Sequence, residues 1–205
     1  AISEWGVEGA VKKFVGMFAF AVWDRAENCL TLARDRIGIK PLYWGRFGSG
    51  LIFGSELKPF FEHPKFEKEI NRHALTLFLR HGYVPAPHSI FSGISKIEPG
   101  CILDFQSPKE FKKTRYWDSI EVAKECQANP LPGSEEVIEN GLEEILQEAV
   151  RGRMLSDVPL GSFLSGGIDS SLVTGIMQSQ SSKPIRTFSI GFEEKKYDES
   201  KFAEK

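Results

Sequence analysis

Leu160-Gly161-Ser162-Phe163-Leu164-Ser165-Gly166-Gly167-Ile168-Asp169-Ser170-Ser171 decides how this chain is read. A short apolar strand runs into a Ser-Gly-Gly turn, and an acid with two serines then opens a helix. Leu172, Val173, Ile176 and Met177 carry the helix signal, falling on one face at 3.6-residue spacing. The first N–H groups of such a helix have no internal partner, and its dipole places about half a positive charge at that end. Glycines let the main chain come close to a ligand, and the hydroxyls of Ser165, Ser170 and Ser171 add donors. The arrangement suits phosphate. The plain alternative is a turn followed by an Asp169–Ser170 helix cap.

No Gly-Lys-Ser/Thr follows, so this is not a Walker A loop, and the GxGxxG spacing of a dinucleotide fold is also missing. SGGxDS resembles instead the PP-loop of the ATP pyrophosphatases, which cleave ATP between the α and β phosphates. That resemblance implies that Ser165, Gly166, Gly167, Asp169 and Ser170 hold the departing pyrophosphate. Asp169 would then sit beside Mg²⁺ and pyrophosphate rather than act as a base.

Outward from the loop, the second strand reads as Ile185 to Phe192 and is expected to be buried. Strand, helix, strand in this order implies a parallel crossover and the opening of a doubly wound sheet, whose ligands bind at the C-terminal strand edge. Ahead of the loop, Ser134 is a candidate N-cap for a helix with Glu135 and Glu136 at its positive end. Ile138, Leu142, Ile145, Leu146 and Ala149 form its apolar face. Tyr197-Asp198-Glu199-Ser200 reads as an acidic helix start.

The first half reads as a layered α+β pattern. A helix is expected over 3–14, with Trp5, Val7, Val11 and Phe14 as its apolar set. Gly16 to Trp23 reads as a strand covered on both faces, and Cys29 to Ala33 as a returning strand. Pro41 to Trp44 starts a third strand, Phe47 to Gly50 a hairpin turn, and Leu51 to Phe53 a fourth strand. A short helix over 56–61 follows. Asn71 is expected to cap a helix to about His81 with Ala74, Leu75, Phe78 and Leu79 inward, and Cys101 to Phe105 alternates as a strand. The domains are read as 1–118 and 134–205, with residues 119–133 as linker.

Composition excludes several classes. The 205 residues carry a formal charge of −2, so no basic excess suggests nucleic acid or an anionic membrane as partner. Val15 to Trp23, the longest apolar run, is far short of the ~20 residues that span a bilayer. No signal-peptide pattern is visible. Cys29, Cys101 and Cys126 have no metal or disulfide spacing and suit reduced thiols in a cytoplasm. The four histidines form no ligand pattern. Both ends read as cut, which makes the chain an expected fragment of a longer protein.

Read together, the two halves resemble one family. Gly16 to Ala21, Ala33 to Tyr43 and Phe53 to Lys58 are similar to the later glutaminase part of glutamine-dependent asparagine synthetases. Ser156 to Ser171 and Thr187 to Phe192 are similar to the opening of their synthetase domain. The resemblance implies the C-terminal part of an Ntn-type αββα glutaminase domain, then the first βαβ unit of a doubly wound PP-loop domain. It implies ATP and Mg²⁺, with glutamine, aspartate and ATP as substrates and a homodimer as the assembly considered. Aspartate would be activated as β-aspartyl-AMP and ammonia would displace AMP. Asp35 would bind the α-amino group of glutamine, as an acceptor-only carboxylate suits an ammonium; the plain reading of Arg34-Asp35-Arg36 is a turn held by local ion pairs. Phe163, Leu164, Ser189 and Ile190 would line adenine and ribose. The family's nucleophile is an N-terminal cysteine, which none of the three cysteines here can be, so the isolated chain is expected to be inactive. β-Lactam-forming synthetases, other PP-loop ligases and a non-catalytic module with the same fold are the rival readings.

Overall fold

Alternating side chains along two central strands build the first half. The computed structural model describes residues 1–194, 196 and 198–204. Chain contacts divide it into two compact units, Ala1–Asn129 and the residues from Pro130 onward.

In the first unit, β1 (Ala19–Asp24), β2 (Cys29–Arg34), β6 (Cys101–Phe105) and β7 (Phe111–Arg115) form an antiparallel sheet in that order. The pairs Leu32–Leu103 and Ala33–Ile102 lie directly opposite, so neighbouring pairs present side chains to opposite faces. On one face Leu32, Leu103 and Phe105 pack with Trp44 and Leu51. Those two residues belong to β3 (Tyr43–Phe47) and β4 (Gly50–Gly54), which with β5 (Ile94–Lys96) make a second antiparallel sheet, order β4-β3-β5. On the other face Ala33 and Ile102 meet Val11 of helix α1 (Ile2–Lys13). The unit is thus helix on sheet on sheet.

The expectations meet specific physical outcomes here. The β3–β4 turn is the two residues Gly48 and Ser49, since Phe47 pairs with Gly50. Asn71 caps α2 (Arg72–His81) by accepting from the Ala74 N–H at 3.1 Å. Of its expected inward face only Ala74 is buried; Leu75, Phe78 and Leu79 are exposed. β1 is shorter than the apolar run and covered on both faces only at its start, where Ala19 packs against one core cluster and Phe20 against the other. It sits at the sheet edge, paired only to β2, and Trp23 is 55% exposed. The short helix expected over 56–61 is a 3-10 turn, Lys58–Glu62. Most of the expected linker 119–133 is helix α3 (Ser119–Ala128), whose cap is Asp118 accepting from the Ile120 N–H at 2.8 Å.

Tyr116 stitches the sheet from outside. Its hydroxyl donates to the Arg34 carbonyl at 2.8 Å, and burial pushes its pKa up to about 12, above the ordinary value of about 10. The fold therefore favours the neutral phenol. The stability this adds is complete below about pH 10 and is lost as pH rises through about 12. An alkaline titration followed by tyrosinate absorbance should show a step that coincides with unfolding, absent from Tyr116→Phe. An identical high-pH step in that variant would contradict the assignment.

In the second unit α4 (Glu135–Arg153) lies against α5 (Ile168–Ser179), and the Gln180 side chain donates to the Gln147 carbonyl at 2.9 Å. Ser134 holds the N-cap position of α4 without a side-chain capping bond. Ile138, Leu142 and Ile145 of the expected apolar face are exposed. β8 (Gly161–Phe163) and β9 (Arg186–Phe188) pair in parallel, with Phe163 opposite Phe188. β9 is shorter than the expected strand and exposed along its length rather than buried. A four-residue helix, α6 (Ser200–Ala203), follows; Tyr197 of the expected acidic start lies outside the described residues. Among the described residues no helix is long and apolar enough to cross a membrane.

Candidate functional site

The C-terminal ends of β8 and β9 lie side by side because Gly161, Ser162 and Phe163 pair with Arg186, Thr187 and Phe188. The pairing continues one step past the strands, where the Leu164 N–H donates to the Phe188 carbonyl at 2.9 Å. Ser189 closes the same corner by donating from its hydroxyl to the Leu164 carbonyl at 2.6 Å. A cleft of about 600 Å³ opens at this edge. Five of the residues expected at a nucleotide site line it: Phe163, Leu164, Ser165, Ser189 and Ile190. Phe163 is 75% exposed and Ile190 is also exposed, so both offer apolar surface to a ligand rather than filling a core.

The loop between β8 and α5 is held by its own serines. The Ser165 and Ser170 hydroxyls are 2.9 Å apart, and the Ser170 hydroxyl also accepts from the Ser165 N–H at 3.3 Å. The Gly167 N–H donates to the Ser165 hydroxyl at 3.4 Å. Helical bonding begins with the Ser171 N–H, which donates to the Gly167 carbonyl at 3.0 Å. The N–H groups of Ile168, Asp169 and Ser170 precede that bond and form the donor-rich end of the helix. Gly166 takes φ +77°, the left-handed region that favours glycine. Gly166, Gly167 and Asp169 are exposed. The Asp169 carboxylate makes no hydrogen bond or ion pair among the described residues. It is not spent as a cap.

Residues 1–117 match the family model described as a glutamine amidotransferase domain. The chain belongs to that family. Residues 141–205, which contain the serine loop and cleft of this amidotransferase chain, match the model described as asparagine synthase. Among its relatives are a putative glutamine-hydrolyzing asparagine synthetase 2 of Methanocaldococcus jannaschii and the glutamine-hydrolyzing asparagine synthetase 3 of Bacillus subtilis. The first is 39% identical over 94% of this chain and 36% of its own length; the second is 37% identical over 93% and 30%. Amidase chry2 of Gibberella zeae is 36% identical over 79% of the chain and 23% of its own length. The amidotransferase chain thus spans about a third of the length of the first of these relatives.

Asp35 of the amidotransferase half requires a correction. It is 1% exposed, and its carboxylate already accepts three backbone N–H groups: Ile39 and Lys40 at 2.9 Å and Phe18 at 3.3 Å. A carboxylate buried under three main-chain donors has no face to offer an ammonium. Nor is the plain reading of a turn tied by ion pairs what is found. The Arg34 guanidinium donates to the carbonyls of Lys40, Ile97 and Gly38 at 2.7, 2.5 and 2.5 Å, and burial lowers its pKa. Arg36 donates to the carbonyls of Phe14 and Lys12, which end α1. Arg34-Asp35-Arg36 is a knot of charged groups bonded to backbone. Cys101 is likewise core, with burial pushing its thiol up.

Phe192, at the expected ligand edge, and Glu199, in the expected acidic helix start, belong to the cleft wall of the amidotransferase chain, whereas Phe188, Glu194 and Lys196, which also line it, carried no site expectation. The signal was available: charged residues directly after a strand of a parallel pair lie where such sheets bind ligands.

Proposed function

We propose that the chain is part of a longer ATP-dependent amide ligase of the asparagine synthetase type. Residues 1–118 are read as the later part of its Ntn-type glutaminase domain and residues 134–205 as the opening of its PP-loop domain. The observation that carries this reading is the open cleft at the β8–β9 edge, lined by Ser165, the first residue of the serine-glycine loop that leads into α5.

In this reading adenine and ribose lie against Phe163, Leu164, Ser189 and Ile190. The first-turn N–H groups of α5 and the hydroxyls of Ser165 and Ser170 take the β and γ phosphates. An aspartate carboxylate oxygen attacks the α-phosphorus, pyrophosphate leaves, and β-aspartyl-AMP forms. Ammonia derived from glutamine then attacks the acyl carbon, and AMP departs with the bonding electron pair. Donors fixed before the reaction stabilise charge as it develops on the leaving pyrophosphate.

Mg²⁺ fits only as an ion brought with the nucleotide. Among the described residues no group of three or more His, Cys, Asp or Glu could hold a metal ion. Mg²⁺ normally uses one or two carboxylates and completes its shell with substrate phosphates and water. Asp169 is proposed as one such carboxylate, and the ion would supply charge neutralisation at the phosphates. A cytoplasmic setting goes with three free cysteines, Cys29, Cys101 and Cys126.

Aspartate-dependent exchange of pyrophosphate into ATP by the full-length protein tests the reading. Exchange is expected with aspartate, with asparagine formed from either glutamine or ammonia, and Asp169→Asn should lower exchange about 10²-fold. The 205-residue chain alone should do neither. Exchange stimulated by a different carboxylic acid would favour the ring-closing synthetases instead. No exchange with any acid would point to a non-catalytic module.

A further inference from the structure

The back of the serine loop holds a second pair of hydroxyls. Ser162 points from β8 into the unit and is only 8% exposed. Its hydroxyl lies 3.0 Å from that of Thr174 on α5, and Thr174 in turn donates to the Ser170 carbonyl at 2.8 Å. Thr174 has one hydroxyl proton and uses it on Ser170, so the proton shared with Ser162 belongs to Ser162. The alternative acceptor for Ser162, the Phe163 carbonyl, is farther at 3.5 Å. With the Ser165–Ser170 pair this closes a ring around the loop. Strand and helix are joined once behind the loop and once across its mouth.

Proton direction gives the ring a consequence. The Ser170 hydroxyl donates to the Gly167 carbonyl at 3.1 Å. While Ser170 spends its proton on Gly167, the proton in the 2.9 Å Ser165–Ser170 pair, where either hydroxyl can donate, is the one on Ser165. In that order Ser165, although it lines the cleft, turns its only proton away from it. An anion in the cleft would reverse the order: Ser170 would release Gly167 and donate to Ser165, and Ser165 would donate to the anion. The reversal needs the Ser170 hydroxyl to stay in reach of Ser165 throughout. Thr174 secures this by pinning the Ser170 carbonyl, and Ser162 secures Thr174.

We propose that Thr174, backed by Ser162, is a positioning residue for phosphate binding, acting through Ser170 on the donor direction of Ser165. This rests on the nucleotide reading of the cleft given above. The setting supports it: Ser162 is buried and Thr174 half-buried, and two such hydroxyls between a strand and a helix could be replaced by apolar groups of similar shape at little cost to folding. Their use is in placement.

The test is made on the full-length protein with Thr174→Val, Thr174→Ser and the double variant Ser162→Ala/Thr174→Val. In ATP–pyrophosphate exchange, Thr174→Val should raise KM for ATP and pyrophosphate about fivefold, the loss of one ordinary hydrogen bond. KM for the acceptor acid should not move. Thr174→Ser should restore the ATP value, and the double variant should show the raised KM with an unchanged or higher melting temperature. A wild-type KM in Thr174→Val, or a raised KM that simply follows a fall in melting temperature, overturns the proposal. If the wild type shows no exchange, the enzyme reading fails, and calorimetric binding of inorganic pyrophosphate with Mg²⁺ decides the rest. Weaker binding by Thr174→Val upholds the positioning role, and equal or absent binding in both proteins ends it.

Discussion

Asp35→Ala should unfold the amidotransferase half about 3–5 kcal/mol more easily than the wild type in a urea titration of the 205-residue chain. The side chain is buried, and alanine would leave the part-buried N–H groups of Phe18, Ile39 and Lys40 without their acceptor. The damage would spread, since the Asp35 carbonyl accepts the N–H groups of Gly38 and Gly100 and its N–H donates to the Phe18 carbonyl. Asparagine is no cure. It keeps the shape but turns one oxygen into a donor facing another donor, so a loss of about 2 kcal/mol or more is expected. A ligand-binding carboxylate behaves in the opposite way, leaving stability intact when removed. An unchanged urea midpoint in Asp35→Ala would return Asp35 to the glutamine site.

Gly166→Ala should reduce pyrophosphate exchange by the full-length protein about 10²-fold, the penalty expected when reacting groups are displaced by an ångström or so. Two effects act together. The residue sits at φ +77°, and an added Cβ would run into the main chain and Cβ of Phe202 on α6. A backbone obstacle cannot swing aside as a side-chain tip can, so either the loop or α6 must move. Gly167 is the control. Its φ is −77°, and its added Cβ would lie 3.4 Å from the Ser165 hydroxyl with nothing closer. Gly167→Ala should therefore lose far less, and equal losses at both positions would mean that the loop geometry is not what matters.

What the sequence made legible was local. The Asn71 cap, the Gly48–Ser49 turn and the Ser-Gly-Gly entry to α5 are all written in neighbouring residues, and each forms where expected. The role of Asp35 was not legible because one of its partners, Phe18, lies 17 positions away and offers only its backbone. A carboxylate between two arginines looks like a binding group until its surroundings are known. β7 was missed because a strand at the end of a sheet needs no apolar pattern, and lysines are common there. The helix within 119–133 did carry a signal, Asp118 followed by Glu121, but the nearby proline-rich stretch drew the reading toward linker. The apolar faces of α4 and β9 follow the periodicity, yet periodicity marks which side is oily and not whether anything lies against it.

The β8–β9 ribbon has one more implication. Two strands alone leave a row of unanswered amides and carbonyls along each outer margin, a ready template for further strands. Any strand that docks there takes its register from Gly161 to Phe163 or from Arg186 to Phe188. The cleft begins where those three-residue segments stop, so recruiting a neighbour and shaping the cleft floor are one event.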